Sequence, residues 1–257
     1  MSEAVHITSR DNALLVRLRR LAQDGSAYRR VGKVWLEGEH LCSALRNRGG
    51  AAEQALITEA GWQDPALRAL AGHAGKVCIV PAPLFAGLSG LESPAAIGFV
   101  LALPAAPAIE PQAATVVLDR LQDAGNVGSI LRSAAAFGVK QVLALKGTAA
   151  LWSPKVLRAG MGAHFSLTLV EGLEDAALQA LAVPLVATSS HAGSELPNAN
   201  IPSPCAWVLG HEGQGVSAAL LQRCVLQVRI PQPGGEESLN VAAAAAVCLY
   251  ESVRRGQ

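Results

Sequence analysis

The sequence predicts an α/β protein in two parts. A small three-layer domain covers residues 1–104, and a larger domain over residues 113–257 builds a parallel sheet with helices on both faces. Three observations predict this. Short apolar runs alternate with helix-length amphipathic stretches along the whole chain, the pattern of strands buried between helices. The stretch 103–112, LPAAPAIEPQ, holds three prolines and separates two such series, so residues 105–112 read as a semi-rigid linker. At 257 residues the chain can enclose two cores.

In the first part, residues 11–23 set Leu14, Leu15, Leu18 and Leu21 at helical spacing, with Arg17, Arg19 and Arg20 on the opposite face. This is either a solvated amphipathic helix or one that turns guanidinium groups toward phosphate, with Tyr28 close in sequence to stack on a base. Residues 33–36, 54–58, 76–80 and 96–103 predict strands, and 39–47 and 65–73 predict helices. In the second part, strands are expected at 115–118, 141–145, 166–170, 184–188, 206–209 and 225–230. Helices are expected at 127–137, ended by Gly138, at 154–159, 173–181 and 217–223, and in the alanine-rich stretch opened by Ser238, Leu239 and Asn240. Its small residues let backbones approach closely.

Composition removes several classes of function. The longest apolar runs, 97–103 and 241–249, fall far short of the roughly 20 residues that span a bilayer. The polar N-terminus lacks the apolar segment of a secretory signal, so a cytoplasmic protein without a membrane segment is expected. Cys42, Cys78, Cys205, Cys224 and Cys248 are odd in number and scattered, and the histidines show no H-x-x-x-H spacing. Neither a disulfide frame nor a metal site is expected. The net charge of +1 hides an uneven distribution. Between residues 10 and 48, nine Lys/Arg face four acids, an excess of five.

In parallel sheets ligands sit beyond the carboxyl ends of the strands, so the loops after strands are where function is sought. Three stand out. Residues 119–132, DRLQDAGNVGSILR, carry Gly125 and Gly128 around Asn126. The dinucleotide spacing G-x-G-x-x-G is absent, however, and the next strand ends in Lys146-Gly147 where an acid for the ribose should stand. A nicotinamide-dependent oxidoreductase therefore fits poorly. Residues 209–217, LGHEGQGVS, gather three glycines about one carboxylate, Glu212. Residues 225–240, VLQVRIPQPGGEESLN, leave a strand through prolines and paired glycines and open a helix, exposing peptide groups and helix-terminal N–H donors. The last loop is either a main-chain grip for a polar small molecule or an ordinary strand-turn-helix.

Taken in order, N-x-G-x-x-x-R at Asn126, Gly128 and Arg132, G-x-E-G-x-G at Gly210, Glu212, Gly213 and Gly215, and I-P-x-x-G-x-x-x-S-L-N from Ile230 to Asn240 resemble the three motifs of the SpoU (TrmH) family of RNA ribose methyltransferases. The segment 153–165, SPKVLRAGMGAHF, is similar to the stretch that joins the first two motifs. The N-terminal ITSRDNALLVRLRRL with WLEGEHL is similar to the family's accessory substrate-binding domain, which resembles a ribosomal protein fold. The resemblance implies an S-adenosylmethionine-dependent 2′-O-methyltransferase with a trefoil-knotted (SPOUT) catalytic domain, active as a homodimer. Its RNA is ribosomal in preference to transfer RNA. The alternative is a non-catalytic RNA-binding protein that keeps the fold.

The resemblance also implies residue roles. The cofactor-side set is Leu209, Gly210, Gly213, Gly215, Ile230, Gln232, Ser238 and Leu239, largely through main-chain groups. The catalytic set is Asn126, Arg132, Glu212, Ser238 and Asn240. Free guanidinium stays protonated, so holding a substrate phosphate and stabilising the forming alkoxide suits Arg132 better than acting as a base. Asn126 would orient Arg132 or hold its loop. Glu212 would tie loops together by accepting N–H bonds, or meet a partner subunit. Ser238 and Asn240 would either position reacting groups or cap the final helix. RNA contacts are expected from Arg10, Arg17, Arg20, Arg29, Arg30, Lys155 and Arg158, the last two of which are equally read as solvated helix cations. Three residues depart from the pattern: Ala124 replaces a frequent proline, Gln232 a methionine, and Glu236 an apolar residue. The last two border the cofactor loop.

Overall fold

The computed structural model describes residues 4–90, 92–234 and 238–256. The first part runs β1 (Val5–His6), α1 (Ala13–Gln23), α2 (Ala27–Val31), β2 (Lys33–Glu37), α3 (Glu39–Asn47), β3 (Ala52–Thr58), α4 (Glu59–Gln63), α5 (Pro65–Ala71), β4 (Ala74–Val80), α6 (Ala82–Ala86) and β5 (Ile97–Ala102). The remainder runs β6 (Thr115–Asp119), α7 (Ala124–Ala136), β7 (Gln141–Leu145), α8 (Pro154–Gly160), β8 (Thr168–Leu173), β9 (Leu185–Thr188), β10 (Ser194–Glu195), β11 (Ala206–Gly210), α9 (Ala218–Leu221), β12 (Leu226–Arg229) and α10 (Val241–Gly256). By contact the chain divides into two compact units, Met1–Ala105 with Trp152–Phe165, and Ala106–Leu151 with Ser166–Gln257. The segment carrying α8 thus groups with the first unit, although in sequence it lies within residues 113–257.

The first unit holds a mixed sheet in the order β1-β4-β3-β5-β2. Strands β1, β4 and β3 are parallel, and β5 runs antiparallel to both β3 and β2. Helix α1 starts where the Asn12 carboxamide oxygen accepts from the Leu14 N–H at 2.9 Å, which satisfies one of the free donors of its first turn. It buries Leu15, Leu18 and Leu21 and leaves Arg17 and Arg20 exposed, as the leucine spacing requires. Tyr28 corrects the sequence reading. It is 2% exposed, with the Arg29 guanidinium 5.2 Å above its ring, so it offers no free face for stacking on a base. An apolar ring on a short helix is held by the core before it is available to a ligand.

The second unit is built on seven parallel strands in the order β10-β12-β9-β11-β6-β7-β8. One core cluster joins Val117, Leu143, Leu145, Val170, Leu185 and Val208 from the strands with Leu178 and Leu220 from the connections. Helix α10 packs on α7 and β11, burying Ala245, Cys248 and Leu249, and sets Tyr250 edge-on to Phe137 with centroids 6.0 Å apart. Two expected helices are shorter than their sequence suggested. Leu173 pairs with Leu145 at the end of the β7–β8 ladder, which leaves only a 3-10 segment, Asp175–Ala180, of the helix expected at 173–181. The helix expected at 217–223 is the single turn α9. Residues 110 and 111 of the proline-rich stretch are fastened to this unit. The buried Gln141 carboxamide accepts from the Glu110 N–H at 3.0 Å and donates to the Glu110 carbonyl at 2.7 Å, and the Pro111 carbonyl accepts from Ala182.

Candidate active site

Chain order and sheet order differ in the second unit, and this difference builds the site. The strands β12, β9, β11 and β6 lie side by side although they come from distant parts of the chain. Their carboxyl ends therefore gather four loops along one edge. A pocket of 640 Å³ opens there, within the range of small-molecule and cofactor sites. It is lined by residues 188–191 after β9, by 210–216 after β11, by Val228, Ile230 and Gln232 at the end of β12, and by Ser238, Leu239, Asn240, Val241 and Ala244 where α10 begins.

The loop after β11 is held in a tight turn. Gly215, at φ 67°, donates its N–H to the His211 carbonyl at 2.8 Å, and the His211 Nδ1 accepts from the Gly213 and Gln214 N–H groups at 3.0 and 3.3 Å. A Cβ on Gly210 would lie 2.1 Å from the Gly215 carbonyl carbon and the Val216 nitrogen, so only glycine lets the two limbs of this turn meet. The buried Asp119 at the end of β6 anchors the same loop. Its carboxylate accepts from the Ser217 N–H at 2.7 Å and from the Arg120 Nε at 2.8 Å, and Arg120 reaches on to the Gln214 carboxamide oxygen at 3.0 Å.

Glu212 joins the loops. One carboxylate oxygen accepts from the Asp123 N–H at 3.1 Å and from the Asn126 side-chain amide at 3.2 Å; the other accepts from the Gln122 N–H at 3.3 Å. The Asn126 carboxamide oxygen accepts in turn from the Asn240 Nδ2 at 2.9 Å, while the Asn240 oxygen caps α10 through the Ala242 and Ala243 N–H groups at 2.9 and 3.3 Å. A continuous chain Glu212–Asn126–Asn240 thus runs across all three sequence motifs. Partial burial works against the Glu212 anion, but these bonds outweigh it and hold its carboxyl below the usual glutamate range.

A family model described as the SpoU rRNA Methylase family matches residues 113–250. The chain belongs to this family. It is 34% identical over 99% of its length to an uncharacterized tRNA/rRNA methyltransferase of Synechocystis sp., covering 95% of that protein. It is 38% identical to the 23S rRNA (guanosine-2′-O-)-methyltransferase RlmB of Bordetella pertussis, over 58% of this chain and 62% of that one. Among solved structures, the SpoU methyltransferase AviRb of Streptomyces viridochromogenes in complex with AdoMet superposes with a TM-score of 0.86 at 26% identity, over 95% of this chain and 98% of that one.

The SpoU match contains all three motif loops. Of the residues singled out from the sequence, Gly210, Glu212, Gly213, Gly215, Ile230, Gln232, Ser238, Leu239 and Asn240 line the pocket. Leu209 is buried in β11 and is not one of the described lining residues. Asn126 reaches the pocket rim through its two partners. Arg132, almost two turns further along α7, is exposed and is not one of the described lining residues. Glu236 lies outside the described residues. Residues 188–191 line the pocket but were not singled out; their only sequence signal is a polar Thr-Ser-Ser-His run at the end of an apolar strand.

The seven cations expected to meet RNA all fall in the first unit. Arg10, Arg17, Arg20, Arg29, Arg30 and Lys155 are exposed; Arg158 is half-buried, and Arg30 pairs with Asp24 at 2.5 Å. All five cysteines are free, and burial pushes the Cys205 and Cys248 thiols up to about 12, where they are inert as nucleophiles. No group of three or more His, Cys, Asp or Glu suited to a metal is present among the described residues. No described helix is long and apolar enough to cross a membrane.

Proposed function

We propose that this chain methylates a ribose 2′-hydroxyl of ribosomal RNA, with S-adenosylmethionine held in the pocket at the ends of β9, β11 and β12. The SpoU family to which it belongs comprises RNA methyltransferases that use this cofactor. The observation that carries the reading to these residues is the Glu212–Asn126–Asn240 chain, which fixes all three motif loops around one pocket. The pocket suits the cofactor in its volume and in its row of apolar side chains beside main-chain groups, and it needs no cation to balance a ligand that already carries positive charge.

When bound, S-adenosylmethionine supplies a methyl group activated by its sulfonium. The chain's own residues do the rest. The glycine turn after β11 and the loop after β12 bind and orient, and alignment of reacting groups lowers the barrier by several kcal/mol. Glu212 and Asn126 hold the start of α7, the helix that carries Arg132. Arg132 holds a substrate phosphate and stabilises the developing alkoxide. Ser238 and Asn240 position groups at the start of α10. The exposed cations of the first unit contact RNA phosphates, the sequence-independent part of nucleic-acid affinity. Residues 1–104 serve as the accessory domain and 113–257 as the catalytic one, joined by 105–112. A trefoil knot in the latter, a homodimer and a cytoplasmic location complete the reading.

The test is incubation of the protein with methyl-labelled cofactor and either ribosomal or transfer RNA. Label on a ribose 2′-oxygen of ribosomal RNA is expected, and Arg132→Ala lowers transfer about 100- to 1,000-fold while cofactor still binds. Bound cofactor with no ribose label on any RNA would instead support a non-catalytic RNA-binding protein.

A further inference from the structure

We infer that Arg120 is a positioning residue for the cofactor. Acting through Gln214, it holds the loop after β11 in the form that walls the pocket. This rests on the cofactor site proposed above and extends it to a residue that none of the three motifs includes.

Arg120 lies in the left-handed region at φ 61°, where the Cβ of an L-residue is crowded by the neighbouring peptide. Among the described residues, Met161 at φ 48° is the other non-glycine there, and it closes the C-terminus of α8 with its N–H on the Arg158 and Leu157 carbonyls, a common use of that conformation. Arg120 ends no helix. It directly follows the last residue of β6, and its surroundings hold it in place. Its N–H donates to the Thr148 Oγ1 at 3.1 Å, and that hydroxyl donates to the Leu118 carbonyl at 3.0 Å. Gly147, at φ 91°, leaves space for the arginine stem: a Cβ there would lie 3.3 Å from the Arg120 Cγ. Unfavourable backbone that its neighbours keep in place points to a position where the direction of the side chain matters.

The left-handed turn sets that direction. Successive residues of extended chain project to opposite faces, which would part the side chains of residues 119 and 120. Turned at Arg120, the guanidinium instead comes back onto Asp119, with Nε 2.8 Å from Oδ1 and Nη2 3.3 Å from Oδ2, while Nη1 reaches the Gln214 Oε1 at 3.0 Å. The Asp119 Oδ2 also accepts from the Ser217 N–H at 2.7 Å. The pair therefore grips the loop after β11 at residues 214 and 217, on either side of Gly215 and Val216, which line the pocket together with Gln214. Asp119 is buried and makes a fixed anchor, and the planar fork of Arg120 carries its position to Gln214. Arg120 is not one of the described lining residues, so its action on a ligand is indirect. An ion pair whose arginine is 34% exposed adds little to stability, and left-handed backbone subtracts from it, so stability alone does not account for the residue.

The test is a double-mutant cycle read by calorimetry with S-adenosylhomocysteine on the full chain: wild type, Arg120→Gly, Gln214→Ala and the two combined. Glycine keeps the backbone turn and loses the fork. Each single variant should bind roughly three- to tenfold more weakly, and the double variant no more weakly than the weaker single, because both remove the same link. Gln214→Glu keeps an acceptor for the guanidinium and should bind within about twofold of wild type. Losses that multiply in the double variant, or wild-type affinity in Gln214→Ala, would overturn the inference. If Arg120→Gly does not fold, the two Gln214 variants decide: weakening by alanine alone supports the link, and equal weakening by both overturns it. Failure of wild type to bind S-adenosylhomocysteine at all would reject the cofactor site, a different result from loss of coupling alone.

Discussion

Glu212 shows how one side chain can tie two loops together. Its carboxylate accepts two main-chain N–H groups and the Asn126 amide, bonds that favour the ionised form. A carboxyl whose value is lowered on folding adds stability that is complete above the ordinary glutamate value, about 4.3, and is lost as pH falls through the lower folded value. We therefore expect Glu212→Gln to melt below wild type at pH 7 in thermal denaturation, with the gap closing as pH drops below about 4. A gap that persists in acid would show that the charge is not what matters. Gly210 is constrained by space instead. Its Cβ would strike backbone on the far limb of the turn, which cannot yield as a flexible side chain does. Gly210→Ala should weaken cofactor binding at least tenfold by calorimetry while the far-ultraviolet circular dichroism stays native.

At the scale of the element, the start of α10 performs two tasks with one residue. The Asn240 oxygen caps the helix, and its Nδ2 donates to Asn126. The two tasks separate by substitution. Asn240→Ala loses both and should cost about 1 kcal/mol in denaturant titration together with methyl transfer. Asn240→Asp keeps a capping oxygen but no donor, so stability should hold while transfer falls. A fully active Asp variant would remove the Asn126 link from the mechanism. Helix α7 is started in the same way by Asp123, whose carboxylate accepts from the Asn126 N–H at 2.7 Å, so the first motif begins on a cap and the helix starts three residues before the 127 expected from its sequence.

For the whole molecule, two compact units mean that unfolding need not be one transition. Leu143, fully buried in the core of the second unit, should cost about 2–5 kcal/mol on replacement by alanine. S-adenosylmethionine at 100 times its Kd should return about 2.7 kcal/mol to the same transition. Scanning calorimetry with and without the cofactor checks both. Stabilisation confined to a transition that Leu143→Ala leaves untouched would place the ligand outside the second unit.

Much of this protein is legible in its sequence because the causes are local. Apolar runs between amphipathic stretches give β6, β7, β9 and β11, leucine spacing gives the buried face of α1, and Asn240 marks the start of α10, whereas α7 begins at Ala124, three residues before the start its sequence suggested. The motif residues reveal the family, since Gly210 and Glu212 in one motif, and Ile230 and Asn240 in another, stand at fixed spacings along the chain. What sequence could not supply is what depends on neighbours distant in the chain. Tyr28 is read as available until the core claims its ring, residues 188–191 carry no motif, and Arg132 lies among the motif residues yet outside the pocket lining. The order β12-β9-β11-β6 is the deciding case. Strand pairing joins backbones without regard to their place in the chain, and only that pairing puts four separate loops at one edge of the sheet.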